Sequence, residues 1–403
     1  PSGWRWGKLE EVIGDYQSGF ACGERDTEGI VQVRMNNVDT RGNFIWNDIL
    51  RVPRIIRNID MYYLSAGDVL FNNTNSTELV GKSALFSGYR EPIVYSNHFT
   101  RLRTVAEYLE PQFLASWLNH LWQKGVFAAI CNRWIGQSAV KPDKLLALKI
   151  PLPPLSEQKR ISAILNEQLA EVDKARAAAE AQLEAAKALP AAYLREVFPR
   201  PGQELPAGWK WVKLGEVCDR SIQIRNPQQI PGYDFYYIDI TSVDNIQKKI
   251  IQARKLSGAE APSRARKVVK YNDVLVATTR PNLNAVAMVP DYLEDQICST
   301  GFCVLRASIR ILPEYLFAFT NSVTFVKALS DLVRGALYPA VTDGQVYSQP
   351  LPLPPFSVQE SIAASLNEQL AAVGKARNDA ETQLKEINAL PSSLLRKAFN
   401  GEL

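Results

Sequence analysis

The side chains of this chain best suited to chemistry are amides, hydroxyls and guanidinium groups gathered in short joints between apolar runs. Arg34, Asn36 and Asn37 form one set, Asn72, Asn73, Thr74 and Asn75 a second, and Thr278, Thr279, Arg280, Asn282 and Asn284 a third. Arg fits the two acceptors on a guanine edge, Asn and Gln fit adenine, and Thr meets a thymine methyl, so these sets are equipped to read bases in a major groove. Turns are also built from Asn, Ser and Thr, and for any one residue turn chemistry is the simpler account. Cations stand with them: Arg41, Lys82, Arg133 and Arg334, and above all Lys248, Lys249, Arg254, Arg264 and Arg266 in the run QKKIIQARKLSGAEAPSRARKVVK. Against a nucleic acid such groups would neutralise phosphates, which supplies affinity without sequence choice.

Catalytic constellations are missing. Val80-Gly81-Lys82-Ser83 ends like a phosphate-binding loop, but Ser76 stands where that motif needs its first glycine, so the backbone cradle is not encoded. Leu353-Pro354-Pro355-Phe356 has a leucine where an amino-methyltransferase needs an amide or carboxylate to accept from the substrate amine, and the copy Leu152-Pro153-Pro154-Leu155 shares it. No G-x-G-x-x-G follows a strand pattern, and His98 and His120 lie in unrelated contexts. The chain reads as one that binds and organises while chemistry happens elsewhere, with no metal or cofactor of its own.

Composition fits that reading. At 403 residues, 46% of them hydrophobic, the chain can bury substantial cores, and its length favours two or three domains. The formal charge of +4 is too mild to identify a nucleic-acid binder by itself, but the cations concentrate outside the helical segments described next. Neither a membrane span nor a secretory signal is legible. Cys22, Cys131, Cys218, Cys298 and Cys303 lack framework or zinc spacing, which suits free thiols in a reducing cytosol.

The elements that must hold the reading joints come in two copies. PPLSEQKRISAILNEQLAEVDKARAAAEAQLEAAKALPAAYLREVF, from Pro153, returns from Pro354 with roughly 26 of about 46 positions identical. Weaker echoes agree: Gly3-Trp4-Arg5-Trp6 with Gly208-Trp209-Lys210-Trp211, and Gly67-Asp68-Val69-Leu70 with Asn272-Asp273-Val274-Leu275. The repeated segment predicts a helix from an N-cap at Ser156 to Leu189, about 34 residues and roughly 50 Å long. Leu165, Val172, Ala179, Ala186 and Tyr193 recur every seventh residue, flanked by Leu169, Leu183 and Val197; the copy has Leu366, Val373, Ala380, Ile387 and Leu394 with Leu370 and Leu384. That is a coiled-coil seam, most simply the two copies packed antiparallel about a pseudo-twofold axis. Pro190 and Pro391 should end or kink the rods.

The diverged segments predict α/β (α+β) recognition domains. Strands are expected in IVQVRM, DVLFN, SALF and IVYSNHFTRLR, then in DFYYIDITSV, KVVKYNDVLVATT, AVAMV and FCVLRA. One amphipathic helix follows each set, PQFLASWLNHLWQKGVFAAI and PEYLFAFTNSVTFVKAL. The organisation is therefore a domain over 1–151, a helical spacer over 152–200, a second domain over 201–351 and a second spacer over 352–403.

Two variable domains, each followed by IP-LPPL-EQ and a long helix, resemble the specificity (S) subunit of type I restriction-modification enzymes. The most specific element is Ile150-Pro151-Leu152-Pro153-Pro154-Leu155-Ser156-Glu157-Gln158, supported by Gly136-Gln137-Ser138-Ala139-Val140-Lys141, and the resemblance covers essentially the whole chain. It implies that each variable domain reads one half of an asymmetric, bipartite double-stranded DNA target. It also implies that the helices set the spacer and dock two methyltransferase subunits, which carry S-adenosylmethionine, and that two ATP- and Mg-dependent restriction subunits join them in a prokaryotic cytoplasm. The competing expectation is a coiled-coil structural adaptor whose variable domains bind protein.

Overall fold

A computed structural model describes residues 3–56, 58–335, 337 and 339–403. The chain forms two compact units, Pro1–Ala179 with Thr382–Leu403, and Glu180–Glu381. Each unit therefore takes the start of one long helix and the end of the other.

The duplication extends to sheet topology. In the first unit an antiparallel sheet orders Ile13–Ser18, Phe99–Thr104, Val69–Asn72 and Ser83–Leu85. In the second, Cys218–Asp219, Phe302–Ala307, Val274–Ala277 and Val286–Met288 take the same order. Val69–Asn72 and Val274–Ala277 are buried at every position, which is why their sequences, Asn72 apart, are apolar rather than alternating. Beside each sheet lies another with one parallel pair, Ile30–Val33 with Ile93–Tyr95 and Asp234–Ile238 with Ile297–Ser299. The recurring Asp-Val-Leu has a shared cause. Asp68 is buried and takes both Nε (2.6 Å) and Nη2 (3.1 Å) of Arg103, and Asp273 takes the same atoms of Arg306 at 2.9 and 2.8 Å.

The helix expected in each recognition domain is two helices. Pro111–Gln123 and Val126–Ile130 are separated at Gly125, whose φ of +72° only glycine adopts cheaply. Pro313–Thr320 and Val323–Asp331 are separated at Ser322, whose hydroxyl accepts from the Phe325 N–H and starts the second piece. The proline-rich run ahead of each rod is a strand rather than a mere helix stop. Lys149–Leu152 pairs with Arg5–Lys8, and Pro350–Leu353 with Lys210–Lys213, as two-stranded ribbons that tolerate proline at an edge.

The rods are longer than the sequence suggests, Leu155–Val197 and Phe356–Asn400. The first begins at Leu155, with the Pro154 carbonyl accepting from Glu157 and Gln158, so Ser156 is inside the first turn and is not the N-cap. Both rods run through their prolines. An interior proline costs about 3 kcal/mol, and apolar anchors beyond it offset that loss. Phe198 lies in the second unit's core 5.4 Å from Tyr315 and 5.5 Å from Phe319, while Phe399 lies in the first unit's core 5.2 Å from Phe113 and 4.9 Å from Trp117. Each rod end thus fills the core of the domain that its own repeat does not follow.

The heptad rows are buried as the spacing predicts. Leu165, Val172, Leu366, Val373 and Ile387 are buried with Ala179, Ala186 and Ala380, while Leu169, Leu183, Leu370 and Leu384 are half-buried. Within the first unit Leu165 and Ile161 cluster with Leu395 and Phe399, and Val172 and Ala179 with Ile387, so the two helical segments there run antiparallel. Past each proline the row slips by one residue: Leu194 and Leu395 are buried, Tyr193 and Leu394 only half so.

The Gln of the EQ pair locks each rod to its recognition domain. Buried Gln158 accepts from the Glu110 N–H (3.0 Å) and donates to the Tyr108 and Pro153 carbonyls (2.9 Å each). Buried Gln359 accepts from the Leu312 N–H (2.8 Å) and donates to the Arg310 (3.2 Å) and Pro354 (3.1 Å) carbonyls. Val358 in place of Glu157 leaves this lock intact, because Glu157 only pairs with Arg160 on the surface.

Candidate nucleic-acid interface

In each unit two loops meet at the end of the central strand. After Val69–Asn72 the chain turns through Thr74–Asn75, which pairs with Gln137–Ala139, itself one arm of a hairpin with Asn132–Trp134. After Val274–Ala277 it turns through Thr278 and Thr279, where Thr279 bridges Ala340. The holding bonds match: Val140 N–H donates to Asn73 O and Val341 N–H to Thr278 O, both at 2.9 Å, while the N–H groups of Asn73 and Thr278 donate to the carbonyls of His98 and Gly301. Arg133 and Arg334 emerge at equivalent places beside these turns. Both are exposed; Arg133 donates to the Ala128 carbonyl and Arg334 pairs with Asp331.

Several side chains expected to read bases are spent on this framework. Asn72 is fully buried and donates to the carbonyls of Thr74 and His98 while accepting from Asn75 Nδ2. Asn73 is buried, donating to Thr100 Oγ1 and accepting from Thr74 Oγ1. Asn75 also accepts from the Ser76 N–H, and Thr278 is buried with its hydroxyl on the Gly301 carbonyl. Asn37 is buried, donating to the carbonyls of Ile45 and Asp48. Lys82 is buried as well: its Nζ lies 2.5 Å from the Val38 and 3.3 Å from the Met35 carbonyl, and burial holds its pKa below the ordinary lysine value. A buried amide or ammonium must satisfy its bonds inside the fold, so Asn37, Asn72, Asn73, Thr278 and Lys82 are corrected here from readers to scaffold.

A second recurrent element is a hairpin whose turn is shaped by an aspartate. Asp39 accepts from the N–H groups of Arg41 (2.8 Å) and Asn43 (2.9 Å), and Asp244 from those of Ile246 (2.8 Å) and Gln247 (2.9 Å). In the first unit Arg34 and Asn36 reach the surface and share Asp48, at 3.2 and 2.7 Å. Arg41 is engaged by Asp39 and by Asp173 of the long helix. In the second unit the hairpin abuts the 281–284 turn. Lys248 Nζ donates to the Asn284 carbonyl (2.6 Å), with burial lowering its pKa to about 8, and Asn284 Nδ2 meets Asn321. Lys248 and Asn284 are thus largely structural, whereas Lys249, Arg280 and Asn282 are exposed and Thr279 is partly so. Arg280 and Asn284 both have positive φ, and Asn282 between them is exposed.

The remaining cations lie farther along the second unit's other sheet. Arg254 pairs with Asp239 at 2.8 Å and lies over the Tyr237 ring, Arg266 donates to Gln228 and the Ala265 carbonyl, and Arg264 is exposed. Sequence reasoning missed the apolar members of the loops: Trp134 and Ile135 at the first unit's hairpin tip (59% and 106% exposed), and Leu283 and Leu337 in the second. It also missed the Asp39 and Asp244 turns, although the Val-Asp pairs Val38-Asp39 and Val243-Asp244 carry that signal.

Similarity to known proteins extends over both halves of the chain. The family model described as the type I restriction modification DNA specificity domain matches residues 4–184 and again 206–386. The putative type I restriction enzyme MjaX specificity subunit of Methanocaldococcus jannaschii is 27% identical over 77% of this chain and 73% of its own length. The StySPI specificity subunit of Salmonella potsdam is 22% identical over 92% of this chain and 82% of its own. Among solved structures, the HsdS subunit from Thermoanaerobacter tengcongensis covers 100% of this chain and 98% of itself, with TM-score 0.62 and 26% identity. A chain solved in work on complex assembly and conformational transition of the type I R-M system shares the fold, with TM-score 0.76 at 24% identity over 100% of this chain and 99% of that one. With one specificity-domain match over each half, the chain belongs to the family of type I restriction-modification DNA specificity subunits.

Proposed function

We propose that the two recognition domains each read one half of an asymmetric, bipartite duplex target, and that the long helices set the spacing between the halves. The observation that carries this reading is the matched pair of loop frames, held by the same backbone bonds but ending in unlike side chains: Asn75 with Arg133, Trp134 and Ile135 in one, Arg280 and Asn282 with Arg334 in the other. Like frames with unlike tips suit unlike half-sites. The exposed Asn36, Arg280 and Asn282 are the base readers, with Arg34, Thr74, Asn75 and Thr279 at their margins. Arg133, Lys249, Arg254, Arg264, Arg266 and Arg334 supply phosphate contacts.

The exposed sides of the rods receive two methyltransferase subunits, and through them two restriction subunits. The family membership supports this, as does the likeness to a chain from the type I R-M system. Methyl transfer and cleavage belong to those partners, which hold S-adenosylmethionine, ATP and Mg2+, and this chain contributes recognition alone.

The test is binding by the complex with its methyltransferase subunits, against a target taken from the methylome of the source. Arg280→Ala with Asn282→Ala should relax base choice in one half-site only, by roughly 1–3 kcal/mol per lost base contact. Failure to distinguish the target from scrambled duplex, at any salt, overturns the reading.

A further inference from the structure

The first recognition hairpin is joined to its rod by a chain of charges. Asp39 shapes the turn, Arg41 Nε returns to Asp39 at 3.0 Å, and Arg41 Nη1 reaches Asp173 Oδ1 at 2.9 Å. Arg176, one helical turn beyond Asp173, donates to the same oxygen. Beneath this chain lies a groove of about 500 Å³, lined on the hairpin side by Phe44 and Trp46, and on the helix side by Asn166, Leu169 and Asp173. Across that groove the Arg41–Asp173 ion pair links hairpin to rod.

The second copy has the turn without the bridge. Aligning Asp39 with Asp244 puts Ile246, 63% exposed, at the place of Arg41, and the rod repeat puts Gly374 at the place of Asp173. The second hairpin is fastened within its own domain, by Lys248 to the Asn284 carbonyl and by Asn245 Nδ2 to the Leu283 carbonyl at 3.3 Å. Arg377, the counterpart of Arg176, bonds Glu381. It adds only a longer-range pull on Asp244, whose carboxyl is held low first by the N–H groups of Gln247 and Ile246.

We propose that Arg41 and Asp173 form a latch fixing the pose of the first recognition hairpin on the rod, which makes Arg41 a positioning residue and makes the first domain the stricter judge of half-site separation. This rests on the bipartite reading above. The pair is open to solvent, at 39% and 42% exposure, so its effect is modest. An exposed ion pair of this kind changes an equilibrium by roughly two- to fivefold.

The experiment measures affinity of the complete complex with its methyltransferase subunits for duplexes carrying the natural spacer, and for duplexes one base pair longer or shorter. Asp173→Ala should hold its affinity for the natural spacer and lose roughly two- to fivefold of its discrimination against the altered ones. Arg41→Ala should give the same profile, the double variant should be no worse than either, and Asp173→Glu should keep wild-type discrimination. Unchanged spacer profiles in all variants overturn the latch. So does a loss in Arg41→Ala alone, with the salt slope falling by about one, because that marks Arg41 as a phosphate contact. A wild-type complex without sequence-specific binding would overturn the bipartite reading itself, and is visible before any variant is made.

Discussion

The hairpins at Val38–Phe44 and Val243–Ile250 solve one structural problem with different side chains. Both are closed by a strand-like bridge, Val38 to Phe44 and Val243 to Ile250, and both turns are capped by the aspartate after the valine. Both are held by an ammonium, Lys82 on the Val38 carbonyl in the first and Lys248 on the neighbouring turn in the second, and they part company in the guanidinium that reaches the rod from the first alone among the described residues. The recognition loops are thus built on backbone bonds that stay the same, while the buried side chains that brace them differ, Asn73 in one and Thr278 in the other. Tips such as Trp134 or Asn282 can then change without disturbing the fold. On the bipartite reading proposed above, that separation of frame from tip is what lets two different readers stand on like supports.

The sharpest way to break the comparison is through the rod ends. Phe198→Ala and Phe399→Ala each empty a buried aromatic site and should cost about 3–5 kcal/mol. The loss from Phe198 should appear as faster amide exchange in Val274–Met288 and that from Phe399 in Val69–Leu85; exchange rising in the same unit for both would contradict the exchanged anchoring. Next come Gln158→Ala and Gln359→Ala, each leaving buried N–H and carbonyl partners unpaired, at about 2–3 kcal/mol of unfolding free energy by denaturant titration. Equal costs are expected; a much smaller one for Gln359 would show that Val358 does weaken the second lock.

A gentler separation comes from pH. Burial lowers the Lys248 pKa from 10.5 to about 8, so between those values the unfolded chain binds the proton that the folded chain has released. The second unit should therefore gain stability as pH rises from 8 to 10, and Lys248→Met should remove that gain relative to wild type in paired unfolding curves. The smallest effect concerns one rod position in its two copies. A Cβ at Gly374 meets nothing within 4 Å, so Gly374→Ala should stabilise the chain by about 0.5–1 kcal/mol. Asp173→Ala should instead be neutral or cost up to about 1 kcal/mol, both read as shifts in denaturation midpoint.

Much of the scaffold is legible in the sequence. Leu165, Val172, Leu366 and Val373 are buried where seven-residue spacing put them, and the apolar runs of DVLFN and DVLVA fall in the central strands Val69–Asn72 and Val274–Ala277. The reading surface was less so. Asn72 and Asn75 look alike in sequence, yet only Asn72 has the His98 carbonyl, 26 residues away, across from its amide. Lys82 and Lys249 are both lysines near loops, and only the first lies under the Val38 carbonyl. The helix splits at Gly125 and Ser322 have local signals, a glycine and an N-cap serine, that an unbroken apolar periodicity hides.

By itself the sequence determined the duplication, the two rods with their buried row, the paired recognition domains and the residue types at their joints. These follow from spacing and composition, which are properties of neighbouring residues and survive in the linear order. Tertiary structure alone decided which amides are scaffold and which reach solvent, that each rod end fills the core that its own repeat does not follow, and that Arg41 grips Asp173 132 residues away. Burial and hydrogen-bond partnership at such separations depend on how surfaces meet after folding, and leave no period in the sequence from which to read them.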